Sequence, residues 1–351
     1  MIDITILTKY TSQGPSSRYR YFLYVNDLLK QNTNIEIDSF LDTSYLHKLY
    51  KKEKKSKGKI LISYLKRIFV LLNSSSNLII EYEALPYIPF WIEKLFLRNK
   101  KYILNFDDNV WANYENKKFL KTKYDNLVKN ASGVIVANAF LEEKVLKLNS
   151  NVIKIPTVLD VDIYQKNHMS TNKFEKFSLV WIGSPSTYKY IKSHASIFQK
   201  LSGVIDYKLV IIASKSLEKE SISGVDMDFY DWSSSIEVEI LKKAHIGIMP
   251  LDKDEFSLGK SAFKIIQYMA TGLPIVASSI GENCNVVKNN KTGFLVDSER
   301  DWINSIKELH NDKALYESFV KASKLGAYNY SIQKYFIKFY KFIQKTYKVE
   351  L

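Results

Sequence analysis

At 351 residues the chain is long for one hydrophobic core and well sized for two α/β domains. With 46% apolar and 25% charged residues it is neither disordered nor fibrous, and its single cysteine, Cys284, excludes a disulfide framework and a zinc site of paired thiolates. The net charge of +14 calls for an anionic partner, for which nucleic acid, an anionic membrane surface and phosphorylated small molecules are the three classes available.

The chain opens on a predicted strand, Ile2 to Thr8, without the basic start, long apolar run and small-residue cleavage site of a secretory signal, which predicts a cytoplasmic protein. Gly14-Pro15-Ser16-Ser17-Arg18-Tyr19-Arg20 follows, at the start of a predicted helix from Arg18 to Leu29. This loop lacks the spacing of the P-loop and of the dinucleotide fingerprint. After a strand at Asn34 to Ser39 comes the densest basic cluster. Lys48, Lys51, Lys52, Lys54, Lys55, Lys57, Lys59, Lys66 and Arg67 stand there against one acid, Glu53. The cluster runs into an apolar segment, Ile60 to Leu72, that Lys66 and Arg67 interrupt and that is far short of the ~20 residues needed to cross a bilayer. Residues 48–72 read either as an amphipathic element facing an anionic membrane or as a solvated loop leading into an ordinary core helix.

Further strands are predicted at Leu78 to Tyr82, Tyr102 to Phe106, Gly133 to Ala137 and Val152 to Ile155, with a helix from Pro89 to Leu97. Asp107 and Asp108 stand just beyond the second of these strands, where such carboxylates serve as a general base, as ligands to acceptor hydroxyls or as a helix cap.

The βα pattern starts afresh after Pro156, which puts a domain boundary between there and Phe177; we divide the chain into 1–160, 161–330 and a terminal segment 331–351. Second-half strands are predicted at Ser178 to Ile182, Tyr207 to Ile212, Met227 to Tyr230, Ile246 to Met249, Ile275 to Ala277 and Gly293 to Val296. The loop Gly183-Ser184-Pro185-Ser186-Thr187 follows the first of them, and its hydroxyls suit either helix capping or phosphate binding. The most informative stretch runs from Leu258 to Pro274. A helix starting near Ser261 would bury Phe263, Ile266 and Ala270 and present Lys260, Lys264 and Gln267 on another face, with Gly272 as its stop. Gly259 before that start would let a diphosphate approach backbone N–H groups, with the two lysines adding charge. Two solvated lysines on a surface helix are the plain alternative. Ser331 to Lys348 reads as a terminal helix.

In this order, with Val136-Ala137-Asn138, Ile246 to Leu251, Gly281-Glu282-Asn283 and Gly293 to Val296 between and after them, these segments resemble the retaining, metal-independent glycosyltransferases of family 4 in the GT-B superfamily. The resemblance implies an α/β fold of two Rossmann-like domains facing a central cleft, with the C-terminal helix returning to the first. It implies a nucleotide-diphospho-sugar as co-substrate, without other cofactor or metal, bound by the second domain through Gly183, Ser184, Thr187, Gly259, Ser261 and Gln267. An acceptor is implied at Gly14, Ser17, Arg18 and Asp107, and a catalytic role for Lys260, Lys264 and Asp108, with Lys189 a weaker third cation. Members commonly carry glutamates at the positions of Gly259 and Gln267. Gln267 keeps a hydrogen-bonding group for a ribose, Gly259 replaces a carboxylate with nothing, and the chain is similar to a branch with a Gly-Lys pair there. Family context implies transfer to a glycan or lipid-linked acceptor of a bacterial surface polysaccharide (capsule, O-antigen or exopolysaccharide) at the inner face of the cytoplasmic membrane. A GT-B sugar-nucleotide epimerase, an inactive homologue and a nucleic-acid-binding protein are the alternatives; the last lacks any recognised module.

Overall fold

The computed structural model describes residues 2–51, 53–166 and 172–347. Two compact units divide the chain, one of Met1–Val158, Gly259–Ser261 and Ile332–Leu351, the other of Leu159–Leu258 and Ala262–Ser331.

The first unit is built on strands β1 (Ile2–Tyr10), β2 (Thr33–Leu41), β3 (Asn77–Glu81), β4 (Lys101–Phe106), β5 (Gly133–Val136) and β6 (Val152–Lys154). They form a parallel sheet in the order β2-β1-β3-β4-β5-β6. Both faces are covered, so the inner strands are nearly continuous apolar runs whose side chains alternate between two cores. Leu78, Ile80, Leu104 and Val134 point into one core with Leu71 and Leu97 from helices. Ile79, Ile103 and Ile135 point into the other, where the helix Ile332–Tyr347 lays down Phe339, Phe342 and Ile343. The terminal-helix expectation also named Lys348, which lies outside the described residues. Tyr340 donates to the Gln31 carbonyl at 3.0 Å, and Phe339 stacks on Tyr24 with centroids 4.5 Å apart.

Two expectations need correction in this unit. The single helix from Arg18 to Leu29 is broken into Pro15–Arg20, a 3-10 turn Phe22–Tyr24 and Val25–Leu29, because Tyr21 leaves helical geometry (φ −135°) as the chain turns Tyr21 and Tyr24 into the core. Arg67, counted with the surface cations, is 1% exposed. Its guanidinium is bound by Asp38 Oδ2 at 2.5 Å, the Thr8 carbonyl at 2.8 Å and the Ala84 carbonyl at 3.0 Å. It is a strut between the helix Lys57–Asn73 and the sheet. Lys52 lies outside the described residues.

The second unit holds β7 (Ser178–Ile182), β8 (Lys208–Ala213), β9 (Met227–Asp231), β10 (Ile246–Met249), β11 (Ile275–Ser278) and β12 (Gly293–Val296). These also run parallel, in the order β12-β11-β10-β7-β8-β9. Read from β9, this is the doubly wound dinucleotide-fold order, whose direction of winding reverses between β7 and β10; such reversals open a crevice at the carboxyl ends of the strands. Trp181, Ile211, Ile248 and Val276 share one core with Phe198, Trp302 and Phe319 of the covering helices. No described helix is long and apolar enough to cross a membrane.

Candidate functional site

In the second unit the crevice between β7 and β10 is bridged by one side chain. The Tyr268 hydroxyl, on the helix Phe263–Thr271, donates to the Ile248 carbonyl at 3.1 Å and accepts from the Ile182 amide at 3.2 Å. That pins the helix across the reversal point. Gly247 makes the close approach possible, since a Cβ there would lie 2.4 Å from the Tyr268 ring.

At the mouth of β7, Gly183 lies against the Trp181 indole so closely that a Cβ would come within 2.4 Å of it. The chain then makes a 3-10 turn, Pro185–Thr187, in which the hydroxyls bond one another and no side chain caps the turn's start. Ser184 Oγ lies 2.8 Å from Ser186 Oγ and 3.3 Å from Thr187 Oγ1, and Thr187 Oγ1 donates to the Ser184 carbonyl at 3.0 Å. Lys264, half-buried, reaches over the same indole, with Nζ 5.5 Å from the ring centroid. One aromatic plate therefore gathers a cation and three hydroxyls at the end of a central strand. This combination suits a phosphorylated ligand. The exposed Lys189 lies nearby in sequence, with Nζ 4.8 Å from the Tyr190 ring centroid.

The helix behind this site starts two residues later than expected. It runs from Phe263, and Ala262 before it is left-handed at φ +52°. The expected shared face of Lys260, Lys264 and Gln267 is therefore not formed. Gly272 does end the helix, at φ +77°. Gln267 is buried, and its Nε2 donates at 2.6 Å to Glu237, a buried carboxylate that also accepts from the Trp232 indole N–H at 2.7 Å and from the Tyr164 hydroxyl.

The segment Gly259–Ser261 belongs with the first unit. Asn138 Nδ2 donates to the carbonyls of Gly259 at 2.9 Å and Lys260 at 3.3 Å, and Lys260 Nζ forms an ion pair with Asp108 Oδ2 at 3.0 Å. A Cβ at position 259 would lie 2.3 Å from Asn109 Cβ, so the glycine there is imposed by packing.

The first sheet reverses between β1 and β3, and the remaining expected residues lie at that end. Ser17, expected to face an acceptor, is fully buried. Its hydroxyl donates to Glu81 Oε2 at 2.7 Å and accepts from the Tyr10 amide at 3.1 Å, so it locks the loop in place and does not line a surface. Gly14 is needed for closeness to Tyr10, whose Cβ would be 2.6 Å from an added one. Arg18 Nε donates to the Ser12 carbonyl at 2.7 Å. Asp107 is buried, accepts from the Tyr82 hydroxyl, and is raised in pKa by burial and then by the neighbouring Asp108 charge. Asp108 is the partly exposed member of the pair.

Three residues here escaped the sequence reading. Glu81, 2% exposed, is pushed up to about 7 by burial, and its Oε1 meets no hydrogen-bond partner among the described residues. Tyr82 is left-handed at φ +63°, a strained backbone of the kind found at working sites. Arg20 is buried and donates through Nε at 3.0 Å to Asn105 Oδ1 and through Nη1 at 2.6 Å to the Ile155 carbonyl. The one available signal was a carboxylate ending the apolar run Leu78-Ile79-Ile80. Among the described residues no group of three or more His, Cys, Asp or Glu could hold a metal ion.

Residues 176–312 match the family model described as glycosyl transferases group 1. No curated protein matches the chain. Among solved structures, a glycosyltransferase from Rickettsia africae is similar at 14% identity and TM-score 0.69, over 99% of both chains. HepE of Anabaena, in complex with UDP and glucose, is similar at 12% identity and TM-score 0.71, over 98% of this chain and 100% of its own. Sucrose-phosphate synthase of Thermosynechococcus elongatus is similar at 12% identity and TM-score 0.69, over the full length of both. The fold is that of the GT-B glycosyltransferases, with two Rossmann-like units, and a group 1 glycosyltransferase domain lies in the second.

Proposed function

We propose that the protein transfers a sugar from a nucleotide-diphospho-sugar to a glycan or lipid-linked acceptor, as a retaining, metal-independent enzyme of the family 4 kind with the Gly-Lys variation. The observation that carries this reading is the gathering of Lys264 and the Gly183–Thr187 hydroxyls around Trp181 at the reversal point of the second sheet. A diphosphate placed there meets a fixed ammonium and oriented hydroxyls. As the bond to the sugar breaks, negative charge grows on the departing phosphate, and a preorganised cation in a partly dry site stabilises it. HepE was solved with UDP and glucose, and TarM of S. aureus with UDP and a GlcNAc-bearing glycerol, which supports a UDP-sugar as the first donor to try. Asp108, with Lys260 beside it, is the carboxylate in the first unit that a hydroxyl of the acceptor would meet. The surrounding biology of this reading is assembly of a bacterial surface polysaccharide at the inner face of the cytoplasmic membrane, approached through residues 48–72.

A thermal-shift panel of nucleotides and nucleotide sugars tests the donor site. A true donor at 100 times its Kd adds about 2.7 kcal/mol of stability. No shift with any nucleotide sugar overturns the reading, and conversion of a donor incubated alone into its epimer would replace transfer with epimerisation.

A further inference from the structure

The helix Lys57–Asn73 is apolar on both sides. Its inner side packs Tyr64, Ile68 and Leu71 into the core of the first unit, yet Leu61, Leu65, Phe69 and Leu72 on its outer side are 60–67% exposed. These four fall at helical spacing, one above the other over three turns. A second helix, Phe90–Leu97, packs beside it on the same core through Phe90, Phe96 and Leu97, and it too leaves large side chains outward: Trp91 at 67% and Leu95 at 68% exposed. Both helices cover the same side of the sheet, so their outer faces point the same way.

A soluble surface seldom leaves six such side chains adjacent without a partner. The charge around them selects one. The first helix contains no Asp or Glu, and the single acid of the second, Glu93, is fully buried and paired with Lys123 at 2.8 Å. Lys57 and Lys59 on the first helix and Lys94 and Arg98 at the second are exposed, as is Lys66, whose Nζ pairs with Asp38 Oδ1 at 3.0 Å. The apolar face is thus rimmed by positive charge alone. A second copy of this chain would set like charge against like, whereas anionic lipid headgroups around an acyl interior match both features.

We propose that these two helices form a platform that inserts into the interfacial layer of an anionic bilayer, with Leu61, Leu65, Phe69, Leu72, Trp91 and Leu95 entering the acyl boundary and the lysines meeting the headgroups. This deepens the membrane element of the function proposed above and rests on it, adding insertion by a second helix to electrostatic approach. Docking of this kind holds the first unit where an acceptor with a lipid tail is presented.

The test uses the full chain and vesicles of phosphatidylcholine with phosphatidylglycerol, against phosphatidylcholine alone. The parent protein is expected to co-sediment with the anionic vesicles and to show tryptophan quenching by acyl-brominated lipid. Trp91→Phe should still sediment but lose most of that quenching, which places this residue in the acyl layer. Leu65→Ser/Phe69→Ser and Trp91→Ser/Leu95→Ser should each weaken vesicle partition at least about tenfold, since two large apolar side chains no longer leave water. All four side chains are exposed, so melting temperature and the donor-induced thermal shift stay at parent values. Equal partition of parent and serine variants, or quenching unchanged in Trp91→Phe, overturns the platform. Loss of a lipid-free dimer in the serine variants assigns the face to self-association and overturns it as well. The donor shift is read on the same samples, so a failed platform with an intact donor response leaves the glycosyltransferase reading standing, and the reverse result separates them in the other direction.

Discussion

Lys260 and Asp108 form an ion pair at 3.0 Å across 152 positions of sequence, within a single compact unit. Their pairing separates the roles of two lysines that helical spacing alone would merge. Lys260 is committed to a carboxylate on the first unit, and Lys264 is the ammonium over Trp181 in the second.

Lys264→Ala should reduce turnover about a hundredfold, the loss usual when one preorganised charge is taken from a developing anion. The side chain is half-buried over an indole face, so folding should survive. Chelators should leave the rate unchanged. Steady-state kinetics with and without EDTA, beside a melting curve, are the measurements; near-parent turnover in the variant removes Lys264 from the site.

Gly259→Ala should destabilise the protein by about 1–3 kcal/mol, the usual cost of overpacking, because the new Cβ would meet Asn109 Cβ at 2.3 Å. For the same reason Gly259→Glu, which supplies the carboxylate common in the family that the sequence resembles, should lower stability and not raise activity. Urea unfolding of both variants decides it, and a Gly259→Glu protein of parent stability with faster turnover would contradict the packing argument.

Glu81 predicts a pH dependence. Its carboxyl is raised from 4.5 to about 7 by burial, so between those values the folded protein holds a proton that the unfolded chain has released. Stability contributed by neutral Glu81 is therefore present below about 4.5 and lost as pH rises to about 7. Glu81→Gln should flatten that part of the stability curve, by up to ~3 kcal/mol across the window. Chemical unfolding at a series of pH values measures it, and parallel curves for parent and variant refute the assignment.

The exposed lysines Lys51, Lys54 and Lys55 should contribute about 1 kcal/mol each to binding anionic vesicles, in a salt-sensitive manner. Their triple replacement by serine should weaken sedimentation at low salt and matter little at high salt. An equal loss at both salt concentrations would mean that these lysines act through the fold and not through charge.

The inner strands were legible because a parallel sheet covered on both faces needs near-unbroken apolar runs, and Leu78-Ile79-Ile80 or Leu179-Val180-Trp181-Ile182 admit little else. Local pattern failed where a distant residue decided the outcome. Helical spacing continued smoothly through Lys260, yet Asn138 and Asp108 hold that segment outside the helix, and Ala262 takes a left-handed conformation to let it leave. Arg67 read as a surface cation because its partners, Asp38 and the Thr8 and Ala84 carbonyls, come from three other parts of the chain. Glu81 and Ser17 were hidden for the same reason, since each is held by the other across 64 positions of sequence.

The first unit's inner core mixes Ile79, Ile103 and Ile135 with Phe339, Phe342 and Ile343. During synthesis the sheet therefore waits with this face covered only in part, by residues such as Tyr21, Tyr24 and Leu28, while the whole second unit is made. At about 5–20 residues per second that interval lasts tens of seconds. The later-encoded unit can close its own core first, and the earlier-encoded one is sealed only when the helix Ile332–Tyr347 arrives. A released chain that stops before that helix should thus be cleaved by protease in its first half while its second half resists.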